Sequence, residues 1–84
     1  MENRSIDYRR LGMTIRRLRK ATEFTQEELA FKLNISVSAL KHYESGRRKP
    51  STECLLNMVP LFGLSSVEDL LNYFGDNKEN EYDE

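Results

Sequence analysis

The chain has 84 residues, a formal net charge of −1 and a single cysteine, Cys54. This length suffices for one small domain, and a lone cysteine excludes an intramolecular disulfide bond. Because the sequence contains no apolar run typical of a signal peptide or a membrane span, we expect a cytoplasmic protein.

The charge is divided unevenly along the chain. Residues 1–50 carry 12 Lys and Arg against 6 Asp and Glu, a net charge of +6. Residues 51–84 carry one Lys against 8 acidic residues, a net charge of −7. This division indicates a basic face for a polyanion and an acidic rear or tail. The alternative is a set of solvated helix faces with no partner, because blocks of charge are common on small helical proteins.

The hydrophobic spacing predicts an all-α fold with five helices. The first helix runs over residues 7–21, with Ser5 or Asp7 as its N-cap. The second begins at the N-cap Thr25, and Glu28 completes a capping box. The apolar residues predicted to face the core in these two helices are Leu11, Ile15, Leu18, Leu29, Ala30 and Leu33.

The third helix is predicted to open at Ser36 and to end near Gly46, which is placed to take a left-handed conformation. Ser51 is the predicted N-cap of the fourth helix, and Pro60 kinks or shortens that helix. A short fifth helix follows over residues 67–74. The inward residues predicted for the fourth helix are Leu55, Met58 or Val59, and Phe62. The apolar residues that indicate the fifth helix are Val67, Leu70, Leu71 and Phe74.

Residues 75–84 are polar, acidic and aperiodic, which predicts a disordered tail. The folded domain is therefore expected to span residues 1–74.

A very short connection joins the second and third helices, with Asn34 and Ile35 between Leu33 and Ser36. Such a connection forces two helices to cross steeply around shared apolar side chains. Asn34 suits the turn because Asn tolerates a positive φ angle. The pattern predicts a helix-turn-helix, whose second helix lies in the major groove of DNA.

Short or basic side chains occupy the outer side of the predicted third helix. If Leu40 and Tyr43 face inward, the helical spacing places Val37, Ser38, Lys41, His42 and Ser45 on the exposed side. Such side chains suit a surface that passes between phosphates to reach base edges. Gln26, at the start of the second helix, is placed to contact a phosphate. The predicted DNA-binding residues are Thr25, Gln26, Ser36, Val37, Ser38, Lys41, His42, Ser45, Arg47, Arg48 and Lys49.

The stretch from Leu11 to Leu71 resembles the XRE family of helix-turn-helix domains, the group of phage repressors and Cro. The motifs TQEELA and YESGRRKPS, at their separation, carry the resemblance. It implies a five-helix fold like that of lambda repressor, with a buried ion pair between Arg19 and Glu44. It also implies a phosphate contact by Gln26. The resemblance further implies base contacts by Val37, Ser38 and His42 with Lys41 nearby, and backbone contacts by the loop Arg47, Arg48 and Lys49.

Four residues depart from the family pattern. Glu23 stands where the family prefers Gly, so we expect a strained or longer turn after the first helix. Asn34 replaces a frequent Gly at little cost. Val37 stands where Gln is common in phage repressors, so it can offer only apolar contact, for instance to a thymine methyl group. Pro60 interrupts the fourth helix. The preferred DNA sequence therefore stays open.

The sequence offers no constellation for catalysis, metal or cofactor binding. His42 has no second His and no Cys-x-x-Cys motif beside it, and Cys54 is interpreted as a small helix residue. Glu68 and Asp69 are adjacent on a predicted helix, so their carboxylates point apart. We therefore expect a protein that is not an enzyme.

The combined interpretation is a sequence-specific DNA-binding transcriptional regulator, a repressor that binds a palindromic operator as a homodimer. The C-terminal helices are the expected dimer surface because Leu70, Leu71 and Phe74 exceed what so short a helix needs for its own core. One alternative is an antitoxin that binds both DNA and a toxin, with the acidic tail as the partner-binding segment. Another is an interaction adaptor without a DNA role.

Overall fold

A computed structural model describes residues 6–76, with side chains through residue 73. This span contains five α-helices and no strand, so the predicted all-α, five-helix fold is confirmed. The helices are α1 (Tyr8–Ala21), α2 (Gln26–Leu33), α3 (Val37–Ser45), α4 (Thr52–Leu61) and α5 (Val67–Asp76). None of them is long and apolar enough to cross a membrane, as far as the described residues go.

Polar side chains begin the first four helices at the predicted residues. The side chains of Asp7, Thr25, Ser36 and Ser51 each accept a hydrogen bond from a backbone N–H two or three residues further on. At α2, the carboxylate of Glu28 also accepts from the N–H of Thr25 at 2.8 Å, which completes the capping box. These caps satisfy N–H groups that have no partner inside a helix, so each helix starts where its cap stands.

Each helix contributes a fully buried side chain to one core. Ile15, Leu29, Leu40, Met58 and Leu70 come from α1 to α5 in order, and all are 0% exposed. The α1 helix packs against α3 and α5, and α2 packs against α3 and α4. The helix-turn-helix segment is therefore anchored on both sides by hydrophobic burial, the largest favourable contribution to folding.

The end of the fold differs slightly from the sequence-based prediction. The α5 helix continues to Asp76, two residues beyond the predicted boundary at Phe74. The remainder of the predicted acidic tail, residues 77–84, lies outside the described residues. In α4, Pro60 stands in the last turn, and the helix ends one residue later at Leu61. Of the apolar residues that indicate α5, Leu70 is 0% exposed and Leu71 is 38% exposed.

Gly12 marks the closest approach of α1 to α3. A Cβ atom at this position would lie 2.4 Å from the carbonyl oxygen of Tyr43 and 2.6 Å from that of Glu44. Both are backbone atoms in the last turn of α3. The absence of a side chain at Gly12 therefore allows the two helices to approach as closely as they do.

The turn between α1 and α2 contains a strained residue, as the sequence predicts. Glu23 has a φ angle of 64°, a left-handed conformation that L-residues with a Cβ atom adopt at a cost of about 1–2 kcal/mol. The backbone N–H of Glu23 donates to the carbonyl of Lys20 at 3.0 Å, which fixes the turn. Asn34, between α2 and α3, has a similar φ angle of 59°, but Asn tolerates it well.

Replacing Glu23 with Gly is expected to raise the free energy of unfolding by about 0.5–1 kcal/mol. Gly removes the left-handed strain, and the greater flexibility of Gly in the unfolded chain offsets part of this gain. Thermal unfolding should show a melting temperature several degrees higher. The matched control is Glu27→Gly in the first turn of α2, where Gly only weakens a helix. A Glu23→Gly protein that melts below wild type would contradict the prediction.

Candidate nucleic-acid interface

The connection between α2 and α3 has the geometry of a helix-turn-helix. Only three residues separate the helices, and the first of them, Asn34, adopts the left-handed conformation that ends α2. The N–H of Ile35 then donates to the carbonyl of Ala30 at 3.0 Å, and Ile35 packs against the core. Ala30 is 1% exposed, and its small side chain suits the close passage of the following helix.

A buried ion pair joins α1 to the last turn of α3. The Nε of Arg19 donates to Oε2 of Glu44 at 2.6 Å, and Nη2 donates to Oε1 at 3.3 Å. The remaining nitrogen, Nη1, donates to the carbonyl of Phe24 at 2.9 Å in the turn before α2. Arg19 and Glu44 are 9% and 8% exposed. The pair implied by the family resemblance is thus present, and it ties α1, α3 and the intervening turn together.

Gln26 is held against this ion pair. Its Nε2 donates to Oε1 of Glu44 at 3.1 Å, and the residue is half-buried at the start of α2. An amide nitrogen carries two N–H groups, so one donor remains for a ligand. Thr25, immediately before it, is exposed, and its hydroxyl oxygen accepts the capping bond from Glu28 while its O–H group can still donate.

Of the five residues that the helical spacing places on the exposed side of α3, only three are exposed. Ser38, Lys41 and Ser45 are exposed, whereas Val37 and His42 are half-buried. Val37 packs against the core. The backbone N–H groups of Arg47 and Arg48 both donate to the carbonyl of His42, which ties the start of the loop to the last turn of α3. The Nδ1 of His42 is buried without a hydrogen-bond partner among the described residues.

The basic loop after α3 is exposed and fixed in place. Gly46, at φ 81°, ends the helix, and a Cβ atom there would lie 2.7 Å from the Cγ atom of Arg9. Arg47, Arg48 and Lys49 follow as exposed residues, and the Nζ of Lys49 lies 5.7 Å from the ring centroid of Tyr8. That distance is within the range of a cation–π interaction, which holds the loop against α1.

Ser36 completes the set of predicted DNA-binding residues. It is exposed, and its hydroxyl oxygen accepts the N–H of Ala39 at 3.0 Å as the N-cap of α3. The structure therefore places Thr25, Gln26 and Ser36 at helix starts, three exposed residues along α3, and the basic loop directly after α3.

One cationic residue near this surface is missing from the sequence-based prediction. Arg16, on α1, lines a polar cleft together with Gln26, Lys41 and Ser45. The sequence does indicate that Arg16 lies three residues before Arg19, a spacing that places both arginines on the same side of α1. Only the packing of three helices shows that α1 contributes to the same surface.

No metal-ligating group of three or more His, Cys, Asp or Glu side chains occurs among the described residues. Cys54 is buried in α4, and burial, with a smaller contribution from the charge of Glu53, raises the pKa of its thiol. A thiol with a raised pKa is a poor nucleophile at neutral pH. This agrees with the interpretation of Cys54 as a small helix residue.

A family model described as a helix-turn-helix domain matches residues 10–72. The fold, the short α2–α3 connection and this match define the class, and the chain belongs to the helix-turn-helix domain family. Within that class, the resemblance to the XRE family, whose members regulate transcription, is confirmed.

Curated relatives carry names that agree with this assignment. The chain is 37% identical over 73 residues to the HTH-type transcriptional regulator ImmR of Bacillus subtilis. This match covers 87% of the present chain and 57% of that protein. It is 46% identical over 48 residues to an uncharacterized HTH-type transcriptional regulator of Archaeoglobus fulgidus, covering 57% of this chain and 21% of that protein. The chain thus spans about half or less of the length of these relatives.

Two solved structures are similar over most of the chain. The restriction-modification controller protein C.AhdI from Aeromonas hydrophila matches with a TM-score of 0.69 and 27% identity, covering 79% of this chain and 98% of that one. The clp gene regulator ClgR from Corynebacterium glutamicum matches with a TM-score of 0.76 and 26% identity, covering 94% of this chain and 83% of that one.

Proposed function

We propose that the protein is a sequence-specific DNA-binding transcriptional regulator that inserts α3 into the major groove. The observation that carries the proposal is the convergence of Gln26 with Lys41 and Ser45 on one cleft beside the exposed side of α3. The first residue begins the helix before the turn, and the other two lie on the helix after it. A surface built from both helices of the motif is what a major-groove reader needs.

The proposed roles separate base recognition from phosphate binding. Ser38 and His42 contact base edges, and Val37 adds an apolar contact from its exposed part. The capping residues Thr25 and Ser36 and the loop residues Arg47, Arg48 and Lys49 contact phosphates together with Gln26. Ser45 and Lys41 flank the helix on its exposed side. Base contacts carry sequence information, whereas phosphate contacts fix the position of the protein on the duplex.

Selecting bound sequences from a random duplex pool with the purified protein tests the proposal directly. A recovered motif is expected, because α3 offers both hydrogen-bonding and apolar groups to the bases. Bound duplexes that share no sequence motif, at every salt concentration used for the selection, would contradict the proposal.

Variants of base-contacting and loop residues should behave differently on the selected duplex. Ser38→Ala or His42→Ala should cost about 1–3 kcal/mol of binding free energy and relax discrimination at one base pair per half-site. Arg47→Ala should weaken binding to all duplexes alike and reduce the slope of log affinity against log salt by about one per protomer. Titrations of the selected and a scrambled duplex at several salt concentrations measure both effects. Equal losses on both duplexes for the Ser38 and His42 variants would show that α3 does not read sequence.

We further propose that the protein acts as a homodimeric repressor on a palindromic site. The support is that each of the last two helices leaves a large apolar side chain exposed, Leu56 of α4 at 55% and Leu71 of α5 at 38%. A second copy covering these residues would double the DNA contacts, with half-sites about 34 Å apart. A palindromic motif from the selection experiment, together with dimer mass in solution, would support this. A single unrepeated half-site would argue for a monomer.

A role in binding another protein is the competing proposal. Phe31, on α2, is 85% exposed, which is unusual for a large aromatic side chain. An antitoxin or an adaptor would use such a residue, or the acidic tail, to hold a partner. Such a role predicts a partner that co-purifies with the chain and is lost with Phe31→Ser. We also propose that the protein is cytoplasmic and that it is not an enzyme, under either of these two functions.

A further inference from the structure

Three helices border an open polar cleft of about 380 Å³ next to the helix-turn-helix. The residues that line it are Arg16, Arg19, Gln26, Lys41, Glu44 and Ser45. Arg16 on α1 and Lys41 on α3 are both exposed, and neither forms an ion pair or a hydrogen bond within residues 6–73. The cleft therefore brings together two cations that are far apart in sequence and that have no partner in this part of the chain.

The one acidic side chain that lines the cleft, Glu44, does not prevent an anion from binding there. Both carboxylate oxygens of Glu44 are already occupied, Oε2 by Arg19 and Oε1 by Arg19 and Gln26. With the charge of Glu44 compensated by Arg19, the net formal charge that remains comes from Arg16 and Lys41. The second N–H of Gln26 adds a neutral donor at the cleft wall, whereas the hydroxyl of Ser45 already donates to the carbonyl of His42 at 3.1 Å.

We propose that this cleft binds one phosphate group of the DNA backbone, and that Arg16 and Lys41 hold that phosphate between them. A guanidinium offers paired N–H donors that match a phosphate, and an ammonium adds a compact charge. The inference rests on the proposed DNA-binding function and assigns a new contact within it. Lys41 then fixes the register of α3 on the duplex, and sequence recognition is left to its neighbours on the helix.

The test compares Arg16→Gln, Lys41→Gln and the double variant with Lys20→Gln, which removes the same charge from α1 outside the cleft. Each is titrated with the selected and the scrambled duplex over a range of salt. Arg16→Gln and Lys41→Gln should each lower affinity by the same factor on both duplexes and reduce the salt slope by about one per protomer. Lys20→Gln should leave the slope nearly unchanged. Because the two residues share a phosphate, the loss in the double variant should differ from the product of the single losses.

Phosphate ethylation interference identifies the contact itself. Wild type should show an ethylated position in each half-site that blocks binding, and Arg16→Gln should no longer be sensitive there. Equal effects of Arg16→Gln and Lys20→Gln, or unchanged interference, would overturn the assignment of the cleft. In that case, if Arg47→Ala still weakened binding to all duplexes, the proposed DNA-binding function would remain supported. If Arg47→Ala also had no effect on any duplex, the proposed function itself would fail.

Discussion

Removing either member of the Arg19–Glu44 pair is expected to lower the free energy of unfolding by about 3–5 kcal/mol. The side chains of Arg19 and Glu44 are only 10% and 5% exposed, so each single substitution to Ala leaves an uncompensated charge inside the protein. Arg19 also donates to the carbonyl of Phe24, so its removal additionally releases the turn before α2. A loss of this size is a large fraction of the stability of a small domain.

Urea unfolding of Arg19→Ala, Glu44→Ala and the double variant measures this effect. The double variant should lose less than the sum of the single losses, because it leaves no buried charge unpaired. Arg16→Ala is the matched control, since Arg16 is exposed on the same helix and should change stability by no more than about 0.5 kcal/mol. Single variants as stable as wild type would mean that the pair contributes nothing to the fold.

Adding one methyl group at Gly12 is expected to destabilise the fold by about 1–3 kcal/mol or more. In an ordinary helix interior, Gly→Ala stabilises by up to about 1 kcal/mol, so the opposite sign is diagnostic here. The new Cβ would lie 2.4 Å from a backbone oxygen of α3, and backbone atoms in a packed helix cannot rotate away as a side chain can. The α1 and α3 helices would have to separate.

Thermal or urea unfolding of Gly12→Ala tests this expectation, with Met13→Ala as the control. Met13 neighbours Gly12 on α1 but is 41% exposed, so its truncation should have a small effect. Gly12→Ala should also weaken DNA binding in the fraction that folds, since a displaced α3 carries its outer side chains with it. A Gly12→Ala protein more stable than wild type would show that α1 and α3 have room to move apart.

Features set by neighbours in sequence could be predicted from the sequence. The capping residues Thr25, Ser36 and Ser51 act within three residues of their own positions, and all three begin helices as expected. Asn34 adopts the positive φ angle expected at its turn, and of the strained or longer turn expected at Glu23 the strained one is present. The number of helices and the helix-turn-helix follow from such local signals together with apolar spacing.

Features that depend on distant packing could not be predicted in this way. His42 is half-buried although helical spacing places it on the outer side of α3, and that spacing contains no information about what packs beside it. The cleft around Arg16 forms only when α1, α2 and α3 meet. The close approach at Gly12 depends on the crossing of two helices that are about thirty residues apart in the chain. The DNA contacts themselves stay predictions.

The strained turn at Glu23 also bears on how long the protein survives in a cell. A difference of 1 kcal/mol changes the unfolded fraction of a small domain by about fivefold. Proteases cleave the opened chain, so the lifetime of the protein follows that fraction when opening and closing are fast. The left-handed glutamate in the turn before α2 is therefore expected to shorten the persistence of the protein. With the proposed regulatory function, faster turnover would mean a faster response when synthesis stops, and a Gly at this position would slow that response.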